Sequence, residues 1–416
     1  MGTDCSGAEA PIWSLRSMCI PHIHAFSCDV SPAVRKFIAA CSPPVGPIFP
    51  DMLKRDIPSI PAHSVYVCGF PCKPFSLLRR HSTKLMREPT AKPFFATVKV
   101  IREHLPMVAI LENVEGIKSV MKYVVNYFVN LLWYYVLVIP INSVELGEPV
   151  RRPRVYFVLI RRDVALVRNR ADLESFAEAM LAAARAPHAD TIAQRMLPTS
   201  HPAVRDYCSK LTRRRGVSER EKGRPKWIKH NEDFTAAHGL SSGSSSGLAS
   251  GIEGLQLPRL RTAWQLLSNV HTSPNLVADV SQNVHRASVC VDGSAPTITP
   301  GGIIAVKKGG RVLVPVEKLL VHNFPLHKMS VPQDTSDKEM ESLGGNTMHL
   351  AAVGCALLIG MGAINWSASA ARVGQKPCGP APPRESAIYI AGAAAQDPSK
   401  KRRLSIGKSI KAKRRK

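Results

Sequence analysis

Within the first 165 residues short apolar runs alternate with amphipathic ones, and this alternation restricts the fold more than any other feature of the chain. Residues 65–68, 108–111 and 155–160 are short, rich in β-branched side chains and apolar throughout, as strands covered on both faces must be. Residues 33–40, 94–104 and 116–130 place apolar side chains at helical spacing instead. Strands alternating with helices predict an α/β domain built on a doubly wound parallel sheet. Such sheets bind ligands beyond the carboxyl ends of their strands. The residues that follow each strand are therefore the candidates for chemistry.

After residues 65–68 comes Gly69-Phe70-Pro71-Cys72-Lys73-Pro74-Phe75-Ser76. A cysteine at a strand end is a potential nucleophile where nearby positive charge or a helix N-terminus stabilises its thiolate. By itself such a cysteine is more often a core residue. Forty residues beyond Cys72, Ile110-Leu111-Glu112-Asn113-Val114 sets a carboxyl at the end of the next strand. Forty more bring Arg151-Arg152-Pro153-Arg154-Val155-Tyr156 to the start of a third. A thiolate, a carboxyl and a guanidinium converging on one sheet edge suit an electron-poor ring, with Cys72 attacking, Glu112 binding a ring nitrogen and Arg154 holding an exocyclic oxygen.

In these motifs the chain resembles the cytosine-5 DNA methyltransferases. GFPCKPFS is similar to the family's nucleophile loop, with Pro71 and Cys72; ENV to its carboxylate motif; RRPRVYFVL to its paired-arginine motif. Pro93-Phe94-Phe95 to Pro106 matches the helix before the ENV strand. Pro296-Thr297, Arg311, Leu313, Glu317 and Asn323-Phe324-Pro325 match the segment that braces the recognition lobe. Leu343-Gly344-Gly345-Asn346-Thr347 matches the motif that returns the chain to the catalytic domain. The resemblance implies a Rossmann-like class I methyltransferase domain over residues 1–165, a target-recognition lobe over 166–340 and a return at 341–370. Composition adds a flexible Ser/Gly-rich loop at 241–251 and a Pro/Gly/Ala-rich, then basic, tail at 371–416 that is expected to be disordered.

The same resemblance implies methyl transfer from S-adenosylmethionine to C5 of a flipped-out cytosine in DNA, through a covalent adduct of Cys72, with Glu112 and Arg154 on the base and Arg152 supporting the site. For the cofactor it points to Ser6 and Gly7 in the turn after the first strand, then Asp29, Asp51 and Met52, with Pro93 and Asn346 completing the pocket. Two positions depart from the family pattern: Glu9 stands at the motif's second glycine, and Val150 at the glutamine before the paired arginines. Two rivals stay open: a tRNA cytosine-5 methyltransferase, since some members of this fold act on tRNA, and a catalytically inactive nucleic-acid-binding homologue, which these departures make plausible.

The charge balance agrees with a polyanionic partner. Lys and Arg outnumber Asp and Glu by 56 to 31, a net charge of +25. Much of the excess is local. Ten basic and no acidic residues lie in 399–416, which reads as a nuclear-localisation or nucleic-acid-binding run. Nine basic and two acidic residues lie in 209–230, where Arg213, Arg214 and Arg215 are expected to meet phosphate. The localisation expected is nuclear, or cytoplasmic in a prokaryote. No CxxC pair occurs among the ten cysteines, which favours reduced thiols over a disulfide framework. Residues 123–141 and 350–366 are apolar enough to mimic membrane spans, but read as a helix running into a buried strand and as a core helix. No membrane, no metal and a monomeric state are expected.

Overall fold

The computed structural model describes residues 1–71, 91–166, 169–188, 190–213, 226–240, 251–255, 257–369, 372–377 and 379–390. At its centre lies an eight-stranded sheet. Its strands are β1 (Gly2–Asp4), β2 (Phe26–Cys28), β3 (Ile48–Phe49), β4 (Val65–Cys68), β5 (Val108–Val114), β6 (Tyr134–Asn142), β7 (Pro153–Arg161) and β12 (Ile388–Tyr389), in the order β12-β6-β7-β5-β4-β1-β2-β3. The three strand runs and three helical runs expected from patterning are all present.

The sheet is mixed rather than wholly parallel. β7 runs antiparallel to both β5 and β6, because only residues 143–152 join β6 to β7, too few for the crossover that a parallel return needs. The reversal brings the start of β7 to the carboxyl edge of β5, with Val114 opposite Arg154.

One face of the sheet is covered by α1 (Ala10–Ser17), α2 (Pro32–Cys41), α5 (Arg170–Ala184), α10 (Asp337–Asn346) and α11 (Leu350–Gly362). The other is covered by α3 (Lys92–His104) and α4 (Met121–Val129). Helix α2 starts where Ser31 accepts from the Val34 amide and Pro32 takes the first position. Helix α11 is the core helix expected. A Cβ added to Gly360 would come 2.6 Å from Val108 Cγ1, so its small residues allow the helix to lie directly on β5. The run Asp337–Gly362 is long and apolar enough to cross a membrane, but 78% of its most apolar window is buried in the fold. The other candidate span divides into α4 and β6, as expected.

A second lobe has its own core around Trp264, Leu260, Leu267 and Leu276. It comprises α6 (Pro202–Arg213), α7 (Lys226–Ala237), α8 (Pro258–Val270) and a four-stranded sheet of β8 (Val277–Asp279), β9 (Val289–Cys290), β10 (Ile304–Val306) and β11 (Arg311–Val312), ordered β11-β10-β8-β9.

Two expected boundaries move. Helix α5 falls within the span the resemblance implies for the recognition lobe, yet Leu173, Ala177 and Leu181 lie in the core of the first lobe. Residues 379–390, expected to be disordered, are placed: Ile388 and Ile390 are buried, and β12 pairs parallel with β6. The partners that hold this segment are arginines far back in the chain, invisible to local pattern. The loop 241–250 and residues 391–416 lie outside the described residues.

Candidate active site

Glu112, near the carboxyl end of β5, and Arg154, second residue of β7, form an ion pair, Arg154 Nε to Glu112 Oε1 at 2.7 Å, with both side chains about nine-tenths buried. A second bond aims the guanidinium, Arg154 Nη1 donating to the Pro153 carbonyl at 2.8 Å. Gly69 opens the loop after β4 beside this pair: a Cβ placed there would lie 3.6 Å from Glu112 Oε2. Asn113 Nδ2 donates to the Phe70 carbonyl at 3.0 Å, tying that loop to the end of β5. Pro71 follows and is half-buried. Cys72 lies outside the described residues. The described residues before it, Gly69–Pro71, begin next to Glu112. Tyr156, opposite Glu112 in the register, is fully buried, and its hydroxyl has no hydrogen-bond partner among the described residues.

Along the same edge, the turn after β1 carries Ser6 and Gly7. Gly7 adopts φ +54°, open to glycine without strain, and its amide donates to Asp29 Oδ2 at 3.2 Å. Asp29 follows β2, and its other oxygen accepts from the Ser31 amide at 2.9 Å. Burial pushes the Asp29 carboxyl above its usual range, and those two amides and Arg35 oppose the shift. Asp51 follows β3 and accepts from the Leu53 amide at 2.9 Å. Met52 is buried, its Sδ 3.8 Å from Cys5 Sγ. The 346–347 segment reaches the same turn, since a Cβ on Gly7 would meet Thr347 Cα at 3.8 Å. Asn346 itself is exposed and donates to Ser342 Oγ at 3.2 Å. Pro93, in the first turn of α3, accepts at its carbonyl from Thr97, whose hydroxyl lies 3.3 Å from Cys68 Sγ on β4.

Arg152 does not face the site. It is 3% exposed and donates to the carbonyls of Ile298 (3.1 Å), Gly345 (3.4 Å) and Thr347 (2.5 Å). One side chain thus joins β7 to both the second lobe and the returning segment. Arg311 and Glu317 form a buried pair at 2.6 Å, and Glu317 also accepts from the Leu197 and Val314 amides. These bonds brace the second lobe where sequence placed a bracing segment.

A family model, C-5 cytosine-specific DNA methylase, matches residues 34–348, about three quarters of the chain. The chain belongs to the C-5 cytosine-specific DNA methylase family. Among curated proteins it is 30% identical over 112 residues to the Type II methyltransferase M.DsaV of Dactylococcopsis salina, a match covering 26% of this chain and 31% of that protein. It is 29% identical over 119 residues to M.HhaI of Haemophilus parahaemolyticus, covering 27% and 36%. The matched stretch spans about a third of the length of these relatives. The S. pombe Dnmt2 methyltransferase structure shares the fold, with a TM-score of 0.50 at 12% identity, covering 87% of this chain and 97% of that one.

Within this methylase fold, Glu9 is accommodated by its placement. Glu9 sits at φ +59° just before α1, fully buried. Its Oε1 accepts from Thr3 Oγ1 (2.9 Å) and Ser27 Oγ (2.6 Å). Ser27 Oγ also lies 2.8 Å from His24 Nε2. The carboxyl therefore sits one residue back from the edge, on paired residues of β1 and β2, and leaves the turn at Gly7 open. Burial pushes the Glu9 carboxyl up to about 7 and the His24 imidazole down to about 4, so near pH 7 the imidazole is neutral and the carboxyl about half protonated. Val150 is buried among Ile192, Ala295 and Ile298, an apolar member of the junction between the lobes.

Some residues of the site were not legible. Asn113 belongs to the ENV motif, but its tie to Phe70 depends on the fold. Asp4, at the end of β1, is held by Arg55 (2.6 Å to Oδ1) and by Tyr66 Oη (2.6 Å), and nothing in the sequence links residues 4 and 55. Arg213 ends α6; its side chain, Arg214 and Arg215 lie outside the described residues. No disulfide joins the described cysteines. Among the described residues no group of three or more His, Cys, Asp or Glu is arranged to hold a metal.

Proposed function

We propose that this chain transfers a methyl group from S-adenosylmethionine to C5 of a cytosine in DNA, using Cys72 as a covalent nucleophile. The observation that carries the reading is the Glu112–Arg154 pair beside Gly69, with Asn113 tying down the loop that leads to Cys72.

The residues of the edge fit the cofactor. Gly7 leaves its turn open, Asp29 and Asp51 present carboxyls after neighbouring strands, and Glu9 turns inward rather than filling the space. Ser6, Gly7, Asp29, Asp51 and Met52 would hold it, with Pro93 and the Asn346 segment closing the pocket. Bound, S-adenosylmethionine supplies an electrophilic methyl group.

Cys72 Sγ forms a bond to C6 of the base, and the C5–C6 electron pair becomes available at C5. Glu112 hydrogen-bonds N3 and the exocyclic amine, stabilising the ring as it gains charge, while Arg154 holds O2. Once C5 is methylated it loses its proton to a base, the C6–S bond breaks, and the thiolate returns. The base must leave the duplex stack, because C6 is otherwise unreachable. In this reading Arg213, Arg214 and Arg215 contact phosphate, and the basic run at 400–416 also serves nuclear entry.

The test is methyl transfer from labelled cofactor to DNA and to tRNA in parallel, with Cys72→Ser alongside, and trapping on duplex containing 5-fluorocytosine, whose fluorine cannot leave as a proton does. Transfer to DNA and a trapped adduct lost in Cys72→Ser are expected. Transfer confined to tRNA would reassign the substrate, and no transfer to either would leave a binding protein.

A further inference from the structure

The last residues of four neighbouring strands lie level across the sheet. Cys68 of β4 pairs with Asp4 of β1, Asp4 with Cys28 of β2, and Cys28 with Phe49 of β3. The cofactor residues proposed above leave from this row: Gly7 three positions after Asp4, Asp29 directly after Cys28, and Asp51 two after Phe49. β3 is the outermost strand and only two residues long. So short an edge strand gives the loop that follows it little backbone support.

Arg55 supplies that support. The amides of Arg55 and Lys54 donate to the Asp51 carbonyl at 3.1 and 3.2 Å, and the Leu53 amide donates to Asp51 Oδ1 at 2.9 Å, which closes the turn. From this turn the Arg55 side chain crosses the face of β2, its guanidinium 5.1 Å from the Phe49 ring centre and 5.3 Å from that of Phe26. It ends on Asp4, where Nη1 donates to Oδ1 at 2.6 Å and Nη2 donates to Oδ2. Tyr66 Oη, on β4, donates to the same carboxylate at 2.6 Å. The Arg55 and Asp4 side chains are 2% and 0% exposed.

A buried ion pair adds little net stability, because desolvation offsets its Coulomb attraction. A planar guanidinium on both oxygens of a carboxylate does fix distance and orientation together. Met52, inside the same turn, sets its Sδ 3.8 Å from the Sγ of Cys5, the residue after Asp4. The Asp51 turn is thus held against the Gly7 turn at two points.

We propose that Arg55 is a positioning residue for the cofactor: through Asp4 it sets the Asp51–Met52 turn level with the Gly7 turn, so that both meet S-adenosylmethionine preformed. This rests on the methyltransferase reading above for the identity of the ligand.

The test compares the full chain with Arg55→Lys and with the double variant Asp4→Asn/Arg55→Met, which removes both charges and leaves Tyr66 an acceptor. Calorimetry with S-adenosylmethionine should show affinity about tenfold weaker in the double variant, since the cofactor must then order the turn itself. Arg55→Lys should fall between it and the native chain, because one ammonium cannot grip both oxygens. At saturating DNA, KM for S-adenosylmethionine should rise by a similar factor while kcat stays within about threefold. Amide exchange at Leu53, Lys54 and Arg55 without cofactor should quicken about tenfold, with little change in melting temperature. Unchanged affinity in a folded double variant overturns the proposal, as does a fall in kcat at unchanged KM. If the double variant does not fold, native affinity in Arg55→Lys overturns it instead. A native chain that binds no S-adenosylmethionine removes the cofactor reading and the proposal together. Native and variant chains that bind it equally remove the proposal alone.

Discussion

Asn113 donates to the Phe70 carbonyl at 3.0 Å, binding the end of one strand to the loop that leaves its neighbour. Asn113 is 1% exposed, so this bond works in a shielded setting. Asn113→Ala should loosen the approach to Cys72 and lower kcat by about 10- to 100-fold. Cofactor affinity, read by calorimetry, should stay within about twofold, because the Gly7–Asp29 turn is untouched. Unchanged kcat would mean that the loop is held by other contacts.

Glu112→Gln keeps the size of the side chain and removes its charge. The ion pair with Arg154 is lost, and with it the stabilisation of the ring during attack. Turnover should fall by about 10²–10³, with the melting temperature nearly unchanged. Stopped-flow or single-turnover kinetics with normal cofactor binding would locate the loss in the chemical step.

Arg152 should prove structural. Its guanidinium serves three carbonyls contributed by two distant segments. Arg152→Met leaves those acceptors buried without a donor, at a cost of about 3 kcal/mol. Thermal unfolding should show the loss. Arg152→Lys should recover only part of it, since a point charge cannot span all three.

Glu9 predicts a pH dependence. Its carboxyl is raised from 4.5 to about 7 in the folded chain. The stability this contributes is fully present below pH 4.5, where folded and unfolded chains are both protonated. It is lost as pH rises through 7, because the unfolded carboxyl ionises first. The swing is about 3 kcal/mol. Glu9→Gln should remove this decline in denaturant melts between pH 5 and 8. His24, lowered to about 4, has the opposite sign, losing stability as pH falls from 6.5 through 4, and that acid-side loss should survive the substitution.

Asp29→Ala removes the acceptor of both the Gly7 and Ser31 amides. Affinity for S-adenosylmethionine should weaken by about 1–3 kcal/mol, measured by calorimetry. Unchanged affinity would move the cofactor away from this turn.

Much of this molecule is local and was therefore legible. Strands and helices follow from apolar spacing over a few residues, and Glu112, Arg154 and Gly7 stand at strand ends because turns and motifs sit at fixed offsets from those runs. The sequence by itself determined the α/β class, the motif order, the core character of α11 and the excess of positive charge. Only the tertiary structure decided that β7 runs antiparallel, which sets Arg154 against Glu112, and that Glu9 turns inward beneath the turn at Gly7. It alone joined Arg55 to Asp4 and Arg152 to three separate carbonyls, and carried residues 379–390 back as an eighth strand. Each of these joins residues tens to hundreds of positions apart. Such pairings carry no periodicity, and they are chosen by register and burial once the whole sheet is assembled.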